Sequence, residues 1–173
     1  MRAYVARGET GFTRHVFDEI TEKNVVFFNV MMRNYANNHL FRDALLVFKT
    51  MSSYDFEHDN YTYPCLLKAC SGLNSLWVGL QIHSAVVKVG FDFNMFIGNG
   101  MVSMYGKCDC FIEARRVLDE MPSRDVVSWN SMVAGYVQSG KFDDTLEVCR
   151  EMESLRLNPD AGTMASLLLA CCD

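Results

Sequence analysis

The stretch Val126–Asn130, which reads VVSWN, has a counterpart 101 residues earlier at Val25–Asn29, which reads VVFFN. Identical residues continue at this lag on both sides of the stretch: Tyr4 and Tyr105, Tyr35 and Tyr136, Asp59 and Asp160, Ala69 and Ala170, Cys70 and Cys171. Chance does not keep register over such a distance. The chain therefore contains an internal repeat.

The lag of 101 residues divides into three unequal units of 35, 35 and 31 residues, and a fourth complete unit follows them. Two partial units flank these four. The predicted boundaries, partial units included, are 1–24, 25–59, 60–94, 95–125, 126–160 and 161–173.

The fourth unit shows what each repeat contains. Its first half carries apolar residues at i, i+3, i+4 and i+7, namely Trp129, Met132, Val133 and Tyr136. A second apolar stripe follows at Phe142, Leu146, Cys149 and Met152. Ser139–Gly140 lies between the stripes, where a helix is expected to stop. A single helical hairpin cannot bury both stripes, so neighbouring units must stack. We therefore expect an all-α solenoid with a continuous core.

Composition excludes several classes of protein. Half of the 173 residues are hydrophobic and 21% are charged, which is typical of a folded chain and not of a disordered one. No apolar run approaches the 18 residues that span a bilayer, so we expect no membrane contact. No P-loop, nucleophile elbow or dinucleotide fingerprint is present, which predicts no enzyme, no catalytic residue and no cofactor.

The seven cysteines are an odd number in a chain without secretory features, so we expect free thiols. Cys108 and Cys110 form a C-x-C pair and Cys171 and Cys172 are adjacent, and neither pair has zinc-site spacing. We predict no metal site.

Three distinct sequence signatures occur along the chain. They are Val126–Asn130 with Asn158–Asp160; Leu66–Cys70 with Gln81–His83; and Met104–Cys108 with Asp119–Pro122. These segments resemble the normal, long and short motifs of the pentatricopeptide repeat family, in its plant-organelle branch. A tetratricopeptide array, the competing assignment, keeps one period of about 34 residues and does not predict a short unit.

The resemblance implies a right-handed α-solenoid of helix-turn-helix repeats that binds single-stranded RNA at one base per repeat. In the family, the fifth residue of the first helix and the last residue of the motif read the base, while the second residue packs against it. The implied reading pairs are Asn29 with Asp59, Pro64 with Asn94, Asn99 with Asp125, and Asn130 with Asp160. The implied stacking residues are Val26, Tyr61, Phe96 and Val127.

In the family, asparagine with aspartate is associated mainly with uracil, then with cytosine. An amide offers the donor and the acceptor that the uracil edge needs, and a carboxylate can fix the amide's direction. The expected preference is U-N-U-U. The resemblance further implies RNA editing or processing in a mitochondrion or chloroplast, with editing co-factor proteins as partners.

Two simpler interpretations stay open. Asp59, Asp125 and Asp160 each precede a helix, where aspartate is a favoured N-cap. The net charge of −5 argues against a broad phosphate-binding surface, which favours a protein-interaction scaffold of the tetratricopeptide type.

Neither end of the chain carries a polar capping unit, so we also expect self-association through the repeat ends.

Overall fold

The computed structural model describes residues 24–54, 56–90, 94–158, 160, 161, 163 and 164. Across these residues the chain forms eight α-helices and no β-strand. In order they are α1 Val25–Asn37, α2 Phe41–Ser53, α3 Thr62–Leu73, α4 Leu76–Val89, α5 Met95–Lys107, α6 Phe111–Glu120, α7 Val126–Gln138 and α8 Phe142–Ser154. We call α1, α3, α5 and α7 the first helices and the other four the second helices. The predicted partial units, and the chain ends expected to self-associate, lie almost wholly outside the described residues.

The chain divides into two compact units. In the N-terminal unit, Met1–Leu73, α2 packs against both α1 and α3, and α1 also contacts α3. The largest fully buried side chains described there are Phe28, Met31, Met32, Met51, Leu66 and Leu67. Removing each such side chain from water contributes about 1.5–3 kcal/mol to folding.

In the C-terminal unit, Asn74–Asp173, the first helix α5 packs against its own second helix α6 and against the next first helix α7. The core between them contains Ile97, Met104, Leu118, Trp129 and Met132. In the C-terminal unit, the apolar surface of α5 is thus covered partly by its hairpin partner α6 and partly by α7, the first helix of the following repeat.

Every hairpin turn contains one residue in the left-handed region. The residues and their φ angles are His39 at 60°, Asn74 at 49°, Asp109 at 58° and Gly140 at 67°. The predicted helix stop at Ser139–Gly140 is confirmed, since α7 ends at Gln138 and Gly140 adopts the conformation that glycine favours.

One predicted apolar stripe is partly wrong. Phe142 and Leu146 are exposed. The buried face of α8 instead contains Thr145 and Val148, together with the predicted Cys149 and Met152. Both sets have helical spacing, so spacing alone does not choose between them. A buried Thr145 is tolerated because its hydroxyl donates to the Lys141 carbonyl at 2.8 Å.

Two glycines bring first helices of consecutive repeats together. A Cβ added at Gly135 of α7 would lie only 3.0 Å from the Cα of Gly106 in α5. The two helices therefore meet backbone to backbone at this point, where no larger residue fits without displacement.

An ion pair joins consecutive second helices. Arg115 of α6 donates two parallel hydrogen bonds to Glu151 of α8, at 2.9 and 2.8 Å, and a further pair to Asp119 at 3.0 and 3.2 Å. The Arg115 guanidinium also lies 5.7 Å from the centroid of the Trp129 ring. Hydrogen bonding to Glu151 is the main reason that the pKa of Arg115 is raised.

We predict that Arg115→Ala lowers the free energy of unfolding by about 1 kcal/mol, because the bidentate pair with Glu151 is lost. The loss is no larger because both side chains are roughly a third exposed, so that solvent already screens their attraction. Arg116→Ala is the matched control, since its pair with Glu120 is largely open to water and its loss should not change stability measurably. Urea unfolding followed by circular dichroism measures both variants. Equal losses would contradict a special role for Arg115.

Candidate nucleic-acid interface

The second residue of every complete repeat is an exposed apolar side chain at the start of a first helix. Val26, Tyr61, Phe96 and Val127 are between 57% and 70% exposed. Within each unit, large apolar side chains at equivalent positions are therefore left open to solvent. Such surfaces are suited to stacking against a flat ligand.

Asn29 and Asp59 are 30 positions apart in sequence but in direct contact. Asn29 Nδ2 donates to Asp59 Oδ1 at 2.8 Å and to Asp59 Oδ2 at 3.0 Å. The Asn29 side chain is buried. Its amide nitrogen therefore points toward the carboxylate, as the sequence led us to expect.

Asp59 also caps α3. Its Oδ1 accepts from the backbone N–H of Tyr61 and of Thr62, both at 2.9 Å. The Thr62 hydroxyl lies 3.0 Å from the same oxygen and 2.8 Å from Asn29 Oδ1. One carboxylate thus holds a helix start and the amide of the preceding first helix together.

Asn99 and Asp125 are the corresponding pair of repeat 95–125, and the Asn99 side chain contributes to the pKa of Asp125. Burial raises the pKa of Asp125, but hydrogen bonds from the Ser128 N–H, the Ser128 hydroxyl and the Asn99 side chain outweigh it, so that the pKa is lowered overall. Asp125 and Ser128 form a capping box at the start of α7.

Asp160 is the predicted partner of Asn130 in the third such pair. Its Oδ1 accepts from the Thr163 N–H at 2.8 Å and from the Thr163 hydroxyl at 2.9 Å. Asn99 Oδ1 and Asn130 Oδ1 are buried and have no hydrogen-bond partner among the described residues. A buried amide oxygen without a donor costs roughly 1–3 kcal/mol. Both oxygens would gain from a donor that a ligand supplies.

Pro64 and Asn94 differ from the other three pairs. Asn94 uses its side-chain oxygen to accept from the N–H of Phe96 at 3.0 Å and of Ile97 at 3.2 Å, which caps α5. Pro64 has no side-chain donor or acceptor. Pro64 belongs to the N-terminal unit and Asn94 to the C-terminal unit.

Sequence analysis missed how charge is distributed among the helices. The first helices contain the basic residues Arg33, Lys68 and Lys107 and no aspartate or glutamate. The acidic residues of the helices all lie on second helices: Asp43, Glu113, Asp119, Glu120, Asp143, Asp144, Glu147, Glu151 and Glu153. Counting charges helix by helix would have revealed this. Net charge alone conceals it.

A metal site and a membrane-spanning helix are absent from the part of the chain that the structure describes. In that part of the chain no three His, Cys, Asp or Glu side chains are grouped to hold a metal ion. None of the eight helices is both long enough and apolar enough to cross a membrane.

Sequence models of the PPR repeat family match residues 23–72, 99–126 and 124–173. The chain belongs to the pentatricopeptide repeat family. The first and last of these segments start 101 residues apart, which is the lag of the internal repeat.

Pentatricopeptide repeat relatives cover almost the whole chain. At3g49142 of Arabidopsis thaliana is 55% identical over 98% of this chain and 25% of its own length. The chloroplastic/mitochondrial protein At1g59720 of the same plant is 35% identical over 94% of this chain and 26% of its own length. The chain therefore spans about a quarter of the length of these relatives.

The fold also matches a solved pentatricopeptide repeat structure. PPR10 in complex with an 18-nt psaJ RNA element superimposes with a TM-score of 0.77, at 24% identity, over 95% of this chain and 25% of that one. The predicted fold class, an all-α solenoid of stacked helical repeats, is confirmed.

We predict that Asn99→Ala raises the pKa of Asp125 toward its ordinary value, because a donor to the carboxylate is removed. A carbon-detected NMR titration of the Asp125 carboxyl measures the change. Ser103→Ala, one turn further along α5, is the control and should leave the titration unaltered.

The same contact has a consequence for stability. Since the folded-state pKa of Asp125 is lowered, its stabilisation is present above the ordinary aspartate pKa of about 3.9 and is lost as pH falls through the folded value. Asn99→Ala should weaken this dependence. An unchanged titration would show that Asn99 does not donate to Asp125.

Proposed function

We propose that this chain is a sequence-specific single-stranded RNA-binding module that reads one base per repeat, with the preference U-N-U-U. The observation that carries the proposal is the pair of hydrogen bonds from Asn29 Nδ2 to Asp59, at 2.8 and 3.0 Å. A carboxylate accepts only, so it holds the amide with its nitrogen inward.

An amide held in this way offers a defined edge to a base. Its second N–H can donate to a uracil carbonyl, and its oxygen can accept from the uracil N3–H. Asn99 with Asp125 and Asn130 with Asp160 repeat the same residue types, which supports uracil at the third and fourth bases. The exposed second-position side chains would stack on the bases, with Tyr61 and Phe96 contributing about 1–3 kcal/mol each.

The charge of the first helices supports contact with an RNA backbone. Arg33 lies one turn along α1 from Asn29, and Lys68 lies one turn along α3 from Pro64, so each basic side chain shares a face with a reading position. Lys68 also donates to Asn37 at 2.7 Å. A chain of negative net charge can therefore still place positive side chains beside the reading positions.

Relatives and neighbours indicate where such a module acts. PPR10 is described in complex with RNA, and At1g59720 is described as chloroplastic/mitochondrial. We place the module in RNA editing or processing in a mitochondrion or chloroplast, as an array of normal, long and short motifs. It would provide recognition, while catalysis would come from other regions or from editing co-factor proteins.

Fluorescence anisotropy with labelled RNAs tests the proposal. We expect the chain to bind an RNA containing U-A-U-U more tightly than one containing A-A-A-A, at low and at physiological salt. The double variant Asn99→Ala with Asn130→Ala should lose the part of this preference that comes from the third and fourth bases, while Asn29 keeps the part from the first. It should keep its helical circular dichroism, since both side chains lie on first helices and leave the backbone hydrogen bonds intact. An unchanged preference in the folded double variant would show that these asparagines do not read bases.

We also predict that Arg33→Ala weakens binding to both RNAs equally. The dependence of log affinity on log salt concentration should become shallower by about 0.7, the value for one phosphate contact on a single strand. Arg42→Ala is the matched control, because Arg42 is equally exposed but lies on the second helix α2. Equal effects of the two substitutions would argue against phosphate contact through the first helices.

The alternative is a protein-interaction scaffold. It is favoured by exposed apolar side chains on second helices, namely Leu46, Trp77, Leu80, Ile112 and Leu146. It predicts that the folded chain binds neither RNA at either salt concentration.

A further inference from the structure

Buried polar side chains are concentrated at the reading positions. Among the described residues six polar side chains are buried, and four of them are Asn29, Thr62, Ser128 and Thr163. Burying a polar group is costly unless it is hydrogen-bonded, so such a concentration calls for a role beyond packing. Three of the four are hydroxyl residues at the third position of a repeat.

The third-position hydroxyls share one contact. Each has an aspartate as the last residue of the preceding repeat, and each lies within hydrogen-bond distance of that aspartate: Thr62 with Asp59, Ser128 with Asp125, and Thr163 with Asp160. The two starts of first helices that carry an asparagine cap have apolar third residues instead, Phe27 after Asn24 and Ile97 after Asn94. Hydroxyl and carboxylate occur together.

Thr62 makes an additional contact across the repeat boundary. Its hydroxyl lies 2.8 Å from Asn29 Oδ1, a shorter distance than the 3.0 Å to Asp59 Oδ1. The hydroxyl also accepts from the Asp59 N–H at 3.2 Å, and of the two oxygens that could accept its single proton Asn29 Oδ1 is the nearer. Thr62 is fully buried, and its branched side chain restricts rotation about χ1.

Building on the proposed base-reading function, we infer that Thr62 is a positioning residue for the base read by the preceding repeat. Asp59 holds the nitrogen of the Asn29 amide and Thr62 holds its oxygen, so the amide cannot flip and its edge is presented in one orientation. Asn99 and Asn130 are different, because their Oδ1 atoms have no partner among the described residues. The reading unit of repeat 25–59 therefore extends into the next repeat and comprises Asn29, Asp59 and Thr62.

Thr62→Val tests the inference, since it keeps the shape and removes the hydroxyl. RNAs containing U-A-U-U, A-A-U-U and U-A-A-U separate discrimination at the first base from discrimination at the third. We expect Thr62→Val to reduce discrimination at the first base by roughly three- to tenfold, the effect of one hydrogen bond, and to leave the third base unchanged. Thr62→Ser, which restores a hydroxyl, should recover most of the loss.

Thr145→Val is the matched control for loss of a buried hydroxyl. Thr145 is also fully buried, but its hydroxyl bonds the Lys141 carbonyl within the second-helix region. It should lower stability without changing discrimination at either base. If Thr145→Val and Thr62→Val reduce first-base discrimination equally, the effect of Thr62 is one of general stability and the inference is overturned.

A measurement without RNA separates this inference from the proposed function. Hydrogen exchange of the Asn29 side-chain amide, followed by NMR, should become faster in Thr62→Val while that of Asn99 does not change. If the unaltered chain fails to discriminate bases, the proposed function fails, and exchange alone then decides whether Thr62 holds the amide. If the unaltered chain discriminates and Thr62→Val does so equally well, only the role of Thr62 is overturned.

Discussion

A two-helix hairpin of this size has more apolar surface than its own two helices can cover, and the first helix of the next repeat has to cover the rest. This constraint places α1 beside α3 and α5 beside α7. The same stacking also determines which residues of the candidate interface come into contact. The last residue of a repeat precedes the next first helix, so stacking brings that residue against the fifth residue of the helix before it. Contact between Asn29 and Asp59 is a consequence of packing and needs no separate loop or insertion.

Helix capping by Asp59 does not exclude the proposed base reading by the same residue. The sequence presented them as competing interpretations of Asp59, Asp125 and Asp160. Asp59 Oδ1 accepts from the backbone at the start of α3, and both of its oxygens accept from the Asn29 amide. A carboxylate has about four acceptor sites, which is enough for both tasks. The cap fixes the carboxylate, and the fixed carboxylate fixes the amide.

Much of the fold followed from sequence because it depends on local periodicity. The paired helices, the stop at Ser139–Gly140 and the burial of Trp129 and Met132 were all predicted. The exposure of Phe142 and Leu146 was not, because helical spacing fits two stripes of α8 and only the neighbouring α7 decides between them. The reading residues came from family resemblance, whereas the contact of Thr62 with Asn29 joins residues 33 positions apart and has no sequence signature. Charge segregation was present in the sequence but becomes visible only once first and second helices are distinguished.

The contact between Gly106 and Gly135 gives one step of the array a special property. An array that binds one base per repeat needs a constant distance between the axes of successive first helices. We call this distance the stride. Where α5 and α7 meet through two glycines, no side chain acts as a spacer, and the stride is set by backbone contact alone. A side chain at either glycine would lengthen this single step and leave Asn99 and Asn130 unaltered. Under the proposed function, all bases beyond this step would be displaced from their reading side chains by the same distance.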